Sequence, residues 1–369
     1  MPSPRSRRLL TATALALPVT LAACSGGAPT ARSLPSSPQT QAAPPRTPTP
    51  TSAHTPSSSS KGKLTVSFGG DVHFQGVLAG RLANDPVTAI GPLRSVLSAS
   101  DLAMVNLETA ITTRGTPVSK QFVFRAPPSA FTALKGAGID VVTAANNHGI
   151  DYGQVGLQDS LDAARTAGFP VVGVGRDADA AYRAKVFTVR GTRVAFIGAT
   201  QVLDDAVRTA WTAGPDKAGL ASAKDVSRTV EAVRAARAEA DVVVVYLHWG
   251  VERASCPSGT QQGLAHQLSE AGADVVVGSH AHVLQGAGYL GRTYVDYGLG
   301  NFAFYARPGP QAVTGVLTLT LRGRTVEQSR WTPAVISGGT PRALSSPDRA
   351  VAAWQQLRSC TGLSASPTG

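Results

Sequence analysis

Several things are scarce in this chain, and each scarcity excludes something. Residues 1–60 hold five arginines and no acidic residue. The rest carries the other 29 of 34 basic residues against all 23 acidic ones, so the formal charge of +11 is unevenly spread. No dense Lys/Arg run follows Arg5, Arg7 and Arg8, and aromatics make up only 6% of the residues. The basic and aromatic stripe that nucleic acid needs is missing, and nucleic acid is not an expected partner. The N-terminal apolar run Leu9 to Leu21 is too short for a membrane span, and no other stretch is long and apolar enough. No heptad pattern marks a coiled coil. There are three cysteines, and Cys256 has no cysteine near it in the sequence, which disfavours metal ligation there.

What is present begins with an export pattern. Arg5, Arg7 and Arg8 form a positive region, Leu9 to Leu21 an apolar one, and Leu21-Ala22-Ala23-Cys24 ends it. That ending resembles a bacterial lipobox, which makes 1–24 a lipoprotein signal peptide and Cys24 the lipidated residue. Ordinary secretion with cleavage nearby is the alternative. The lipid would hold the protein outside the cytoplasm at the cell membrane, anchored without spanning it. Residues 25–60 are mostly Ser, Thr, Pro, Ala, Gly and Gln, a composition that cannot bury a core. They read as a disordered tether with a mean span of roughly 35 Å. An exported chain meets oxidising conditions, so a disulfide between Cys256 and Cys360 is open, although the sequence does not show that they approach.

From residue 61 strand and helix patterns alternate. Strands are expected at 63–72, 101–108, 138–148, 169–175, a hairpin over 185–200, then 241–250, 273–282, 293–304, 315–323 and 325–336. The continuous apolar runs at 241–250 and 273–282 suit strands buried on both faces. Apolar residues at helical spacing fall at 88–99, 128–137, 154–167, 222–239 and 260–271. The pattern predicts an α/β domain over 61–340 with a largely parallel sheet, antiparallel strands late, and a tail over 341–369 with a short helix near 350–358.

In open α/β sheets, ligands bind beyond the carboxyl ends of strands. Those ends deliver Asp71 and His73; Asn106 and Glu108; Asn146, Asn147 and His148, with Asp151 close behind; His248; His280 and His282; and Asn301. Five of the seven histidines are in this set. Each piece has a bland reading alone. "GGD" is an ordinary turn, "NNH" a polar turn, His248 a histidine bonded to backbone, and His280/His282 two packed core residues. Together they are nitrogen and oxygen donors of the kind that Zn²⁺, Mn²⁺ and Fe²⁺ accept, at one edge of the sheet.

The stretches "GGDVHF", "VNLETAIT", "TAANNHGIDYG", "YLHWGVE", "CPSGTQQGLAHQLSEAGADVVVGSHAHVLQG" and "DYGLGNF" resemble, in order, the motifs of the CapA family of capsule (poly-γ-glutamate) synthesis proteins. The family's domain is similar to calcineurin-like metallophosphoesterases. The resemblance covers roughly 63–305 and implies a four-layer α/β/β/α sandwich of the metallo-dependent phosphatase type. It implies one or two divalent ions (Mn, Zn or Fe) held by Asp71, His73, Glu108, Asn147, His248, His280 and His282. His148 would be the general acid, with Asp151 orienting it. Asn106, Asn146, Glu252 and Asn301 are expected at the substrate rim, with a solvated surface residue the alternative for Glu252 and a strand-end turn for Asn301. The chain departs from the family pattern at Asn146 (Gly), Glu108 (Asp), Ala281 (Pro), Arg253 (aromatic) and Gly298 (Ser). The longer Glu108 leaves one metal or two open.

Two functions follow. One is a metal-dependent hydrolase of phosphoesters or of another ester or amide. The other is a role in making or exporting an anionic surface polymer, with other capsule-synthesis membrane proteins as partners. They are compatible. The alternatives are a phosphoesterase unrelated to capsule and a non-catalytic polymer-binding accessory protein, so whether the chain is an enzyme stays open.

Overall fold

The computed structural model describes residues 62–368. The expected signal peptide, Cys24 and the tether lie outside the described residues. Among those described, no helix is long and apolar enough to cross a membrane.

Two mixed sheets stack face to face. One runs in the order Thr340–Ala343, Thr325–Ser337, Val313–Arg322, Leu64–Val72, Leu102–Leu107, Val141–Thr143, Val171–Val172, and Asn301–Ala303 also pairs with Leu64–Val72. The other runs Ala287–Leu290, Thr293–Asp296, Val275–Ser279, Val242–His248, Thr192–Thr200, Lys185–Val189. The middle of each sheet is parallel, and the late strands are antiparallel.

Side-chain alternation builds the layers, because successive residues of a strand point to opposite faces. Val242, Val244 and Tyr246 pack into the core between the sheets, against Phe68, Met104 and Leu317. Val243, Val245 and Leu247 turn the other way, onto Val233, Leu264 and Leu268 of the helices Val226–Glu239 and Gly259–Ala271. Val105, Leu107 and Val142 of the first sheet likewise meet Leu78, Leu82, Phe131 and Leu134. Helix, sheet, sheet, helix is the four-layer sandwich the resemblance implies.

Several expectations need correction, three of them with a clear physical reason. The helix expected over 88–99 shrinks to Arg94–Leu97, and Val77–Asn84 is helical instead. Pro86 and the Gly91-Pro92 pair interrupt the pattern, as proline removes a backbone donor and restricts its predecessor. The single strand expected over 293–304 is two strands in different sheets, joined by a crossover through Gly298 and Gly300. Gly300 stands at φ 63°, which favours glycine. Finally, the boundary at 340 falls at the edge strand Thr340–Ala343, and the helix Asp348–Gln356 stacks Trp354 on Trp331 at 5.3 Å, so this segment belongs to the domain. Cys256 and Cys360 form a disulfide with Cα atoms 5.7 Å apart. It closes a loop spanning 104 residues, which in the chain-entropy account stabilises the fold by about 4–5 kcal/mol.

Candidate metal centre

Strand parity explains half of the site. Leu102 and Met104 face the inter-sheet core, so Asn106 and Glu108, two and four residues on, continue that face past its apolar part. Val244 and Tyr246 do the same for His248. The other half comes from breaks in regularity. Between Phe68 and Asp71 the first strand spends three residues where its neighbour spends two, from Met104 to Asn106. This β-bulge inverts the alternation and turns Asp71 inward. Gly70 sits in the bulge, where a Cβ would lie 1.9 Å from the Gly300 carbonyl oxygen. The strand expected to carry the H-x-H pair stops at Ser279. His280 and His282 follow in left-handed backbone, at φ 94° and 56°. Such conformations are costly for side-chain-bearing residues and cluster at functional sites.

Asp71, Glu108 and His248 are buried, as is His280. Glu108, His248 and His280 each offer a ligand atom within 4.8 Å of the others, and so do Asp71, Glu108 and His282. Glu108 joins the two groups. Neither of its carboxyl oxygens has a hydrogen-bond partner, its nearest cationic-type neighbours being His248 Nε2 at 3.4 Å and His148 Nε2 at 3.9 Å. Burial, followed by the Asp71 charge, pushes the Glu108 carboxyl well above the usual range. A buried carboxyl with both oxygens orphaned is expensive unless a cation meets it. Two of the neighbouring imidazoles are in the form metals accept. Burial, then the His280 charge, holds His248 far below the ordinary histidine value; burial, then His282, holds His280 at about 3. The donor set therefore fits a divalent ion.

Asn106 and Asn146 fall elsewhere than expected. Asn106 Nδ2 donates to Asp71 Oδ1 at 2.8 Å and lies 3.1 Å from His248 Nδ1, and its Oδ1 accepts from Asn146 Nδ2 at 2.9 Å. Asn146 also donates to the Leu107 carbonyl and accepts the His148 N–H. Both are buried with their hydrogen-bonding groups engaged, so they brace ligands from behind and do not line a substrate rim. Asn301 is similar: its Oδ1 accepts from His282 Nδ1 at 2.7 Å, and its Nδ2 donates to the Gln311 carbonyl at 3.0 Å. His282 Nδ1 also lies 3.3 Å from Asp71 Oδ2, so it is Nε2 that is left for a ligand bond. Asn147 meets His248 Nε2 through Oδ1 at 2.8 Å.

His73 joins none of the ligand groups. Its nitrogens face the backbone N–H of Gln75 at 2.9 Å and of Tyr305 at 3.3 Å, and its ring packs among Phe124, Phe304 and Tyr305. Burial, then the charges of His148 and His282, depress it to about 3. His148 Nδ1 lies 2.6 Å from Asp151 Oδ2, and its Nε2 turns toward Glu108.

The segment from Thr113 to Phe124, unflagged in the sequence, completes this arm. Lys120 pairs with Asp151 Oδ1 at 2.6 Å and donates to the Asn147 carbonyl. Phe124 stacks on the His148 ring at 3.9 Å and donates its N–H to Asp151. A lone lysine and a lone phenylalanine in a loop carry no sequence signal for this role.

The fold and site define a sandwich protein with a candidate metal centre where its two sheets converge. Residues 65–306 match the family model of the bacterial capsule synthesis protein PGA_cap, and the chain belongs to that family. It is 30% identical over 248 residues to the PGA biosynthesis protein CapA of Bacillus subtilis, covering 65% of this chain and 63% of that one. It is 37% identical over 174 residues to the capsule biosynthesis protein CapA of Bacillus anthracis, covering 47% of this chain and 42% of that one. The chain thus spans less than two thirds of either relative. Among solved structures it is similar to a phosphatase from Mycoplasma pneumoniae, with TM-score 0.47 and 15% identity over 74% of this chain and 94% of that one.

Proposed function

We propose that this chain is a lipid-anchored, extracytoplasmic protein that acts in making or exporting an anionic polymer of the poly-γ-glutamate type, through a metal-dependent, hydrolase-like centre. The observation that carries the reading is Glu108, buried with both oxygens unpartnered among Asp71 and the imidazoles of His248, His280 and His282. Family membership supports the polymer class, and the lipobox ending in Cys24 supports the anchor.

Asp71, Glu108 and His282 would hold one ion, and Glu108, His248 and His280, with Asn147, a second. A bound divalent ion supplies Lewis acidity toward a phosphoryl, ester or amide oxygen. The chain's own groups do the rest. Asn106 fixes the Asp71 carboxylate, and Asn301 fixes the His282 tautomer. Asp151, held by Lys120, keeps the His148 Nδ1 side occupied, and Phe124 sets the ring plane. His148 Nε2 is then the atom that exchanges a proton with a leaving group. The second reading, a polymer-binding accessory without turnover, draws on His73, whose nitrogens both face backbone N–H groups.

The test uses the purified full chain. We expect a divalent metal to copurify, an aryl phosphate to turn over, and His148→Ala and His280→Ala each to abolish turnover, with His280→Ala alone losing metal. No metal, or turnover indifferent to both changes, sinks the hydrolase reading. Metal without turnover, together with binding of poly-γ-glutamate but not of dextran, selects the accessory reading. Failure to bind poly-γ-glutamate removes the polymer assignment.

A further inference from the structure

Glu252 is exposed and lies outside the ligand set implied by the resemblance. Its position is nevertheless built. The loop carrying it follows the strand Val242–His248 and ends at the helix Gly259–Ala271, whose start is fixed by a capping box between Ser258 and Gln261. Gln261 donates to Gln285 Oε1 at 2.8 Å, and Gln285 donates in turn to the Ala254 carbonyl at 2.8 Å. Arg253, in left-handed backbone at φ 62°, donates its N–H to the Ala281 carbonyl at 2.7 Å. That bond docks the loop onto the residue between His280 and His282.

Docked there, Glu252 offers a carboxylate oxygen within 4.8 Å of ligand nitrogens of both His280 and His282. One further observation points to a cation. His280 is 6% exposed, and its Nδ1 has no hydrogen-bond partner. Among the described residues, Glu252 has no hydrogen bond or ion pair of its own, although Arg253 is its chain neighbour. Two imidazoles and one carboxylate are a set that binds Zn²⁺-type divalent ions and leaves a position open.

The geometry points to Glu252 as a metal ligand, closing from the solvent side over the ion that His280 or His282 holds in the centre above. This rests on the metal-centre reading above and extends it to a residue outside the implied set. Glu252 is the one exposed ligand, so it is the one that can swing away without disturbing the core.

The full chain, stripped with a chelator, is titrated with Zn²⁺ by calorimetry. Glu252→Gln keeps the shape and removes the charge; we expect the affinity of at least one Zn²⁺ to fall about tenfold or more. Glu252→Asp, one methylene shorter, gives an intermediate loss. The visible absorption bands of the Co²⁺-loaded chain shift in Glu252→Gln, because a carboxylate donor on the ion has been exchanged for a weaker neutral amide. Equal Zn²⁺ affinity in wild type and Glu252→Gln, or unchanged Co²⁺ bands, overturns this inference and leaves the inner centre standing. If wild type takes up neither ion, both the inference and the metal-centre reading fall.

Discussion

Two sets of side chains reach this centre by opposite routes. Glu108 and His248 arrive on regular strands, each an even number of residues beyond the apolar positions that face the other sheet. Asp71, His280 and His282 arrive through broken regularity: a bulge at Gly70 for the first, left-handed backbone for the other two. Regular delivery costs nothing locally, because the alternation that builds the core also aims the ligand. Irregular delivery stores strain that the surrounding packing must offset. It also lets consecutive turns of chain aim two imidazoles at one place, which the two-residue repeat of a flat strand end does only on one face.

The contrast is most directly broken at the bulge. Gly70→Ala forces a Cβ into the Gly300 carbonyl, a backbone group that cannot rotate away. We expect a loss of more than about 3 kcal/mol in chemical denaturation, together with loss of metal binding. Gly62→Ala, where nothing lies within 4 Å, is the neutral control. A Gly70→Ala protein as stable as wild type would mean that the bulge does not set the position of Asp71.

The irregular loop also carries a pH signature. Burial lowers the His282 value, but the charge of Glu108, the hydrogen bond and charge of Asp71, and the Asn301 hydrogen bond outweigh it and raise it to about 9. A histidine raised in the folded state contributes stability that is complete below its ordinary value near 6.5 and lost as pH rises through 9. The chelator-treated chain should therefore lose on the order of 3 kcal/mol between those limits, read from Tm against pH. His282→Gln should flatten that slope. A slope unchanged by the substitution would assign it to other groups.

The smallest effect separates the two routes by stability alone. In metal-free protein, His280→Gly loses contacts but relieves left-handed strain, so the net change should stay within about 1 kcal/mol. His248→Gly, at a strand position with φ suited to any residue, has no strain to release and should cost about 3 kcal/mol or more. Equal costs in denaturant melts would show that the loop is not strained in solution.

Much of this was legible in the residues. The apolar runs fixed which strands are buried on both faces, and the ordered motifs marked most of the candidate ligand residues and the family's sandwich. Asn106, Asn146 and Asn301 were legible only as polar groups near the site. Whether an amide faces substrate or braces a ligand depends on neighbours from other strands: Asp71 for the first, Leu107 for the second, His282 for the third. Lys120 and Phe124 gave no signal at all, since their partners Asp151 and His148 lie 24 or more residues further along the chain. Cys256 and Cys360, 104 positions apart, left pairing open until the chain between them was folded.

Local chemistry, then, determined the elements and the kinds of donor atom: alternation, caps, glycines and histidines act over a few residues and can be read in order. Tertiary structure alone decided which donors meet. It stacked two sheets so that their strand ends converge, left Glu108 without a hydrogen bond among imidazoles, set His73 among aromatic rings, and docked Glu252 beside His280 and His282. The reason is physical. Burial and mutual distance are properties of the packed chain, and they govern both the charge state of each group and what it can bind.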